Sequence, residues 1–198
     1  MHHIYETDAF VLKNLPQGEA DAFVTLFTKD LGLIRATAQG IRYEKSKLRF
    51  SMQNFSHAHV SLVRGKGVWR LTNASSIENI YSNLNKESIE IVARVFKLLE
   101  RLLVGESSDE KLFEIIFSGI NFLKEKTQDK NFDNEKALDI EAVIVLRILN
   151  RLGYVGGNEN INFFIINDSW EGEVFEKMKK ERREALLAIN SGLRESQL

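Results

Sequence analysis

An α+β fold is what the sequence predicts: a five-stranded N-terminal barrel over residues 1–77, then a helical domain over 78–198. Two observations carry this. Through about residue 75 apolar positions recur with a period of two between glycine-marked turns, and beyond it the period becomes 3.6. Charge divides at the same place: residues 1–80 hold ten Lys/Arg against seven Asp/Glu, and residues 81–198 hold seventeen against twenty-one.

The first strand runs from about Ile4 to Lys13, with Tyr5, Thr7, Ala9 and Val11 on one face. The segment NLPQGEAD, which holds the only proline, Pro16, and Gly18, is the expected connection. Ala22 to Thr28 is rich in β-branched and aromatic residues and makes the second strand. Lys29-Asp30-Leu31-Gly32 turns tightly into a third strand, Leu33 to Gln39, and Gly40 opens a charged segment, IRYEKSKLRF. A fourth strand spans Phe55 to Val63. Arg64-Gly65-Lys66-Gly67 signals a hairpin, and Val68 to Ala74 makes the fifth strand. Five short strands in this length suit a small closed or partly open barrel such as an OB-fold; a small sandwich or an SH3-like barrel leaves much the same trace.

Ser75-Ser76 is the expected cap of a short helix through Leu84. In SIEIVARVFKLLERLL, the residues Ile91, Val95, Leu98, Leu99 and Leu102 form a wide stripe that faces a core. Ser107 with Glu110 fits a capping box for a helix over 108–126. A third long helix, 134–151, is almost wholly apolar between Ala142 and Leu149 and is expected at the centre of a bundle, with Gly153 ending it. GYVGGNEN reads as a loop, INFFII as a short extended piece, and 171–190 as a charged terminal helix.

The chain has no cysteine, which excludes disulfides, thiolate zinc sites and cysteine nucleophiles. No stretch resembles a signal peptide or a membrane span, so a cytoplasmic location is the default expectation. Neither G-x-S-x-G nor H-E-x-x-H is present, and Arg64-Gly65-Lys66-Gly67 lacks the glycine spacing and lysine-hydroxyl ending of a phosphate loop. Asp139 and Glu141 read as ordinary helix surface. His57 and His59 share a strand face without a third ligand, so no metal site is expected. No catalytic residue and no cofactor is assigned.

The chemistry that stands out is a basic stretch. Between residues 35 and 70 lie Arg35, Arg42, Lys45, Lys47, Arg49, Arg64, Lys66 and Arg70, opposed only by Glu44. Tyr43 and Phe50 interleave with the cations of the charged loop; Tyr43, and after it Phe50, is the ring expected to stand exposed and join them in binding, while most other rings of this half are expected in the core. Cations that follow phosphates, with flat rings on which bases stack, are what a protein needs to hold single-stranded nucleic acid. The plain alternative is a solvated loop whose lysines maintain solubility.

The stretch Tyr5 to Arg49 resembles the N-terminal signature of the RecO family. An apolar strand ends at Val11-Leu12, followed by Gly18-Glu19, Asp21 and a strand closing in Leu26-Phe27-Thr28. Then come Gly32-Leu33, Gly40-Ile41-Arg42 and Lys45-Ser46-Lys47, and Phe55 through Gly67 to Leu71 is also similar. The resemblance implies an OB-fold before a helical domain, binding of single- and double-stranded DNA, and annealing of complementary strands. It further implies partnership with the single-strand-binding protein tail and with RecR, and help in loading recombinase on coated DNA during recombinational repair, without enzymatic activity. Many relatives carry a four-cysteine zinc module after the helices; here GYVGGNENINFFIIND stands in its place. Arg147 and Arg151, one helical turn apart, are the candidates for the acidic, phenylalanine-ended tail, with interior structural roles as the alternative. An RNA-binding or translation-associated OB protein and a helical interaction adaptor are the competing functional readings.

Overall fold

The computed structural model describes residues 3–129, 131–166, 170 and 173–197. These form two units: Met1–Asn83 with Leu103–Phe113, and Leu84–Leu102 with Glu114–Leu198.

The first unit is a closed barrel of β1 (Ile4–Gln17), β2 (Asp21–Thr28), β3 (Gly32–Ala38), β4 (Ser56–Arg64) and β5 (Trp69–Asn79) in the order β1-β2-β3-β5-β4. β3 and β5 close it in parallel and every other pairing is antiparallel, the Greek-key arrangement of an OB-fold. Strict alternation sends Ala22, Val24 and Leu26 of β2 and Ile34, Ala36 and Ala38 of β3 into the core. A bulge between Val11 and Lys13 shifts the β1 register against β2.

Two expected boundaries move. β1 and β2 pair as far as Gln17 and Asp21, so Pro16 lies within the ladder, one residue from a strand end, where a missing N–H is tolerated. β5 continues to Asn79 because its second half still pairs with β4, and Ser75-Ser76 is strand instead of helix cap. A 3-10 turn, Ile80–Asn83, follows.

The segment 103–113 also belongs to this unit. The Trp69 indole N–H donates to Glu106 at 2.9 Å, Lys29 pairs with Glu110 at 2.7 Å, and Phe113 lies on Phe10 and Phe27 at 5.0 and 5.6 Å. Gly32, at φ +74°, lies so close to the backbone of Ser107 that a Cβ there would collide with it.

The second unit packs α2 (Lys86–Leu102), the body of α3 (Glu110–Thr127), α4 (Asn134–Arg151), α5 (Asn162–Ile166) and α6 (Glu173–Glu195). α4 is buried at Ala142, Val143, Ile144 and from Leu146 to Leu149, as its apolar run requires. Gly119 of α3 lets Ile144 of α4 approach; a Cβ there would come within 2.7 Å of the Ile144 side chain. Caps follow the local polar residues. Asp133 accepts from the Lys136 N–H, and Asp109, rather than the expected Ser107, accepts from the Leu112 N–H at 3.0 Å. The expected extended piece at 161–166 is helical over Asn162–Ile166, because the Asn158 side chain accepts from the N–H groups of Asn160 and Ile161 and so starts a turn. Residues 171 and 172 of the expected terminal helix, and 167 and 168 of the segment in the zinc module's place, lie outside the described residues. No described helix is long and apolar enough to cross a membrane.

Candidate nucleic-acid interface

The long connection between β3 and β4 is pinned at one end of the barrel by apolar plugs and hydrogen bonds. Ile41 and Met52 are buried in the barrel core and Leu48 packs against it. Asp21 accepts from the Gly40 N–H at 2.8 Å, the Arg42 N–H donates to the Ala20 carbonyl at 2.9 Å, and the Arg42 guanidinium donates to the Gly18 carbonyl. A short helix, α1 (Leu48–Ser51), ends the connection. With the apolar side chains used as plugs, Arg42, Tyr43, Lys45, Lys47, Arg49 and Phe50 are left exposed, Tyr43 at 65% and Phe50 at 73%.

The remaining predicted cations extend from that end along the β3–β5 seam. Arg35 is exposed on β3. Arg70 of β5 stands opposite Thr37, two residues further on, which places Arg35 and Arg70 as diagonal neighbours on the outer face, about 7–8 Å apart. β5 starts beside Ala36, so the β4–β5 hairpin carrying Arg64 and Lys66 lies toward the opposite end of the barrel from the loop. The predicted cations thus form a loop cluster, a seam pair and a hairpin pair, spread over roughly 15–20 Å of strand length.

Their electrostatic states differ. Arg64 is engaged: it pairs with Glu106 at 3.1 Å and lies 5.5 Å from the Trp69 ring centre. Arg42 is committed to a carbonyl. Arg35, Lys45, Lys47, Arg49, Lys66 and Arg70 are exposed and make no ion pair among the described residues. Positive charge left unneutralised in this way is available to phosphate.

Sequence reasoning missed part of this surface. Lys13 is exposed on β1 and joins Arg35 through Thr25 in one cross-strand row. Phe23, expected in the core with most other rings, points outward from β2 and is 40% exposed. The alternation of β2 carries the signal: with Ala22, Val24 and Leu26 inside, Phe23 and Thr25 face out.

In the helical unit, Arg147 is buried at 3% exposure. Its Nε–H donates to the Phe164 carbonyl at 2.8 Å, and its guanidinium lies 4.3 Å from the Trp170 ring centre. That interior role removes it from any peptide-binding surface, which corrects the sequence expectation. Arg151 is exposed. A groove of about 750 Å³ instead opens between α2, α4 and α6, with Leu98, Leu138, Val145 and Ile189 among its apolar walls and Arg94, Lys97, Arg101 and Arg182 at its rim. Leu98, expected in the core stripe, is half-buried here. Glu141 holds Arg94 through two hydrogen bonds of 2.6 and 2.7 Å and favours its charged form. Arg182 bridges Glu135 and Asp139 at 2.6 and 2.7 Å. Asp139, expected at the surface, is buried, and desolvation raises its pKa against the opposing pull of Arg182. Lys97 and Arg101, one turn apart on α2, make no ion pair among the described residues. No group of three or more metal-ligating side chains occurs among the described residues.

Comparison with known proteins agrees with the barrel. Residues 1–80 match the family described as Recombination protein O N terminal. Proteins named DNA repair protein RecO are similar over longer stretches. The one from Dehalococcoides mccartyi (strain ATCC BAA-2266 / KCTC 15142 / 195) is 32% identical over 129 residues, covering 64% of this chain and 50% of the relative. That from Heliobacterium modesticaldum is 29% identical over 153 residues, 76% and 52% of the two chains, and that from Gloeothece citriformis 29% over 128 residues, 64% and 45%. The chain spans about half the length of the curated relatives it matches. Through its N-terminal barrel and the alignments that continue into the helices, the chain is similar to the RecO family.

Proposed function

We propose that this chain is a DNA-binding recombination mediator that anneals complementary strands and helps load recombinase on DNA coated by single-strand-binding protein, with no bond made or broken by its own residues. The observation that carries the reading is the set of seven exposed cations that make no ion pair among the described residues, Lys13, Arg35, Lys45, Lys47, Arg49, Lys66 and Arg70, on an OB-type barrel. Annealing follows from charge alone: cations neutralise two backbones at once, the strands approach, and their base edges remain free to pair. Both single- and double-stranded DNA present the same phosphates and are both ligands on this reading.

The helical groove supports the proposed partner. An acidic peptide ending in an aromatic residue suits apolar walls rimmed by Lys97 and Arg101. We assign the tail of single-strand-binding protein there, and RecR as a further partner. The test is annealing of two labelled complementary oligonucleotides, bare and coated with single-strand-binding protein. The reading expects acceleration in both cases, with the coated reaction lost when Lys97 and Arg101 are changed to glutamate. A protein that leaves the bare annealing rate at its spontaneous value refutes it.

A further inference from the structure

We infer that the outer face of β1, β2 and β3 is a base-stacking site, in which Phe23 carries a nucleobase of a single strand and Lys13, Arg35 and Arg70 hold the flanking phosphates. The inference rests on the DNA-binding reading above and adds to it a discrimination between single and double strands.

The register places these residues together. Leu15 stands opposite Phe23, Phe23 opposite Thr37, and Thr37 opposite Arg70, so the four form one row across the barrel. The adjacent row on the same face is Lys13, Thr25 and Arg35. Directly opposed residues are about 5 Å apart and diagonal ones about 7–8 Å, which puts all three cations within side-chain reach of a strand lying over the Phe23 ring.

Packing does not account for Phe23. Phe10 and Phe27 also point outward from the barrel, and Phe113 covers both, leaving each 1% exposed. Phe23 has no ring partner among the described residues; it is 40% exposed beside Leu15 at 48%. An exposed ring and an exposed leucine, flanked by three cations that make no ion pair among the described residues, give a flat apolar platform with phosphate ligands at its edges. The acid nearest in register on this face, Asp21, is engaged by the Gly40 N–H.

That combination selects one occupant. The bases of a duplex are stacked on one another and offer no face, whereas those of a single strand are open to a planar side chain. Stacking also leaves the pairing edge of the base exposed, as annealing requires. Phosphate contacts then serve both DNA forms, and Phe23 serves only the single strand.

The test compares Phe23→Leu, Phe23→Ala and Phe23→Trp with the parent chain, using labelled oligo(dT) of about 20 nucleotides, longer than one barrel's usual site, and a duplex of equal length. Leucine and alanine are expected to weaken oligo(dT) binding about 5- to 150-fold while duplex affinity stays within about twofold. Tryptophan is expected to retain oligo(dT) binding and to add an emission that the oligonucleotide quenches, beyond any change of the parent chain. Equal oligo(dT) affinity for parent and Phe23→Leu overturns the inference, and so does a parallel loss on both DNA forms. A parent chain that binds neither probe overturns the DNA-binding reading itself.

Discussion

Replacing Lys45, Lys47 and Arg49 together by alanine removes three of the seven exposed barrel cations that make no ion pair among the described residues, without touching the plugs Ile41, Leu48 and Met52 that hold the loop. Exposed substitutions of this kind change stability by no more than about 0.5 kcal/mol each, so the fold stays and the charge goes. Each phosphate contact on a single strand contributes about −0.7 to the slope of log affinity against log salt, so seven contacts give a slope of about −5 and four a slope of about −3. Between about 50 and 200 mM salt the parent chain should therefore lose roughly 900-fold in affinity and the triple variant only about 50-fold. Fluorescence anisotropy of a labelled single strand, titrated at several salt concentrations, reads both slopes. A variant with the parent slope would mean that the loop holds no phosphate, and a parent slope near zero would remove the electrostatic account altogether. Arg42 is left out of the triple because its guanidinium holds the Gly18 carbonyl, so its loss would loosen the loop as well as remove a charge.

Four further outcomes follow from particular contacts. Gly32→Ala adds a Cβ against the Ser107 backbone at φ +74° and should cost at least about 2 kcal/mol, read as a lower urea midpoint; an unchanged midpoint contradicts the close approach. Gly119→Ala pushes a methyl into Ile144, and overpacking of about 1–3 kcal/mol should outweigh a helix-propensity gain of up to about 1 kcal/mol, lowering Tm by a few degrees. The folded-state pKa of Asp139 is raised, so the native state binds its proton more tightly than the unfolded chain does. Its contribution to stability is greatest in acid and declines as pH rises from the ordinary carboxylate range through the raised value. Asp139→Asn should remove that decline, and urea midpoints whose pH profile parallels the parent's would refute it. Changing Lys97 and Arg101 to glutamate should weaken an acidic, phenylalanine-ended peptide by about tenfold or more in a titration, whereas the same change at Arg151 should leave it unaltered, since Arg151 does not line the groove.

Much of the barrel is legible in the sequence because period-two patterning and Gly32 fix where β2 and β3 begin and which residues face the core. Its ends are less legible. Pro16 and Ser75-Ser76 carry local turn and cap preferences, and ladder pairing with β2 and β4 overrides both. Asn158 shows the reverse case: one side chain accepting two backbone N–H groups turns the β-branched, aromatic run Asn162–Ile166 into a helix. The basic residues could be named from charge alone, but their electrostatic availability could not. Only the fold brings Glu106, 42 positions away in sequence, onto Arg64, while leaving Lys66 without such a partner among the described residues. Arg147 and Asp139 are further instances, since helix periodicity gives a direction and not a neighbour. Phe23 was readable from the parity of β2, and the usual preference of large rings for the interior concealed it.

Amide chemical-shift mapping of the chain with and without oligo(dT) tests the central claim most directly. Perturbations should concentrate on residues 40–50, on Arg35 and Thr37 of β3, and on the start of β5 around Arg70. Perturbations confined to the helical unit, with the barrel amides unmoved at saturating oligonucleotide, would show that the barrel is not where the strand is held.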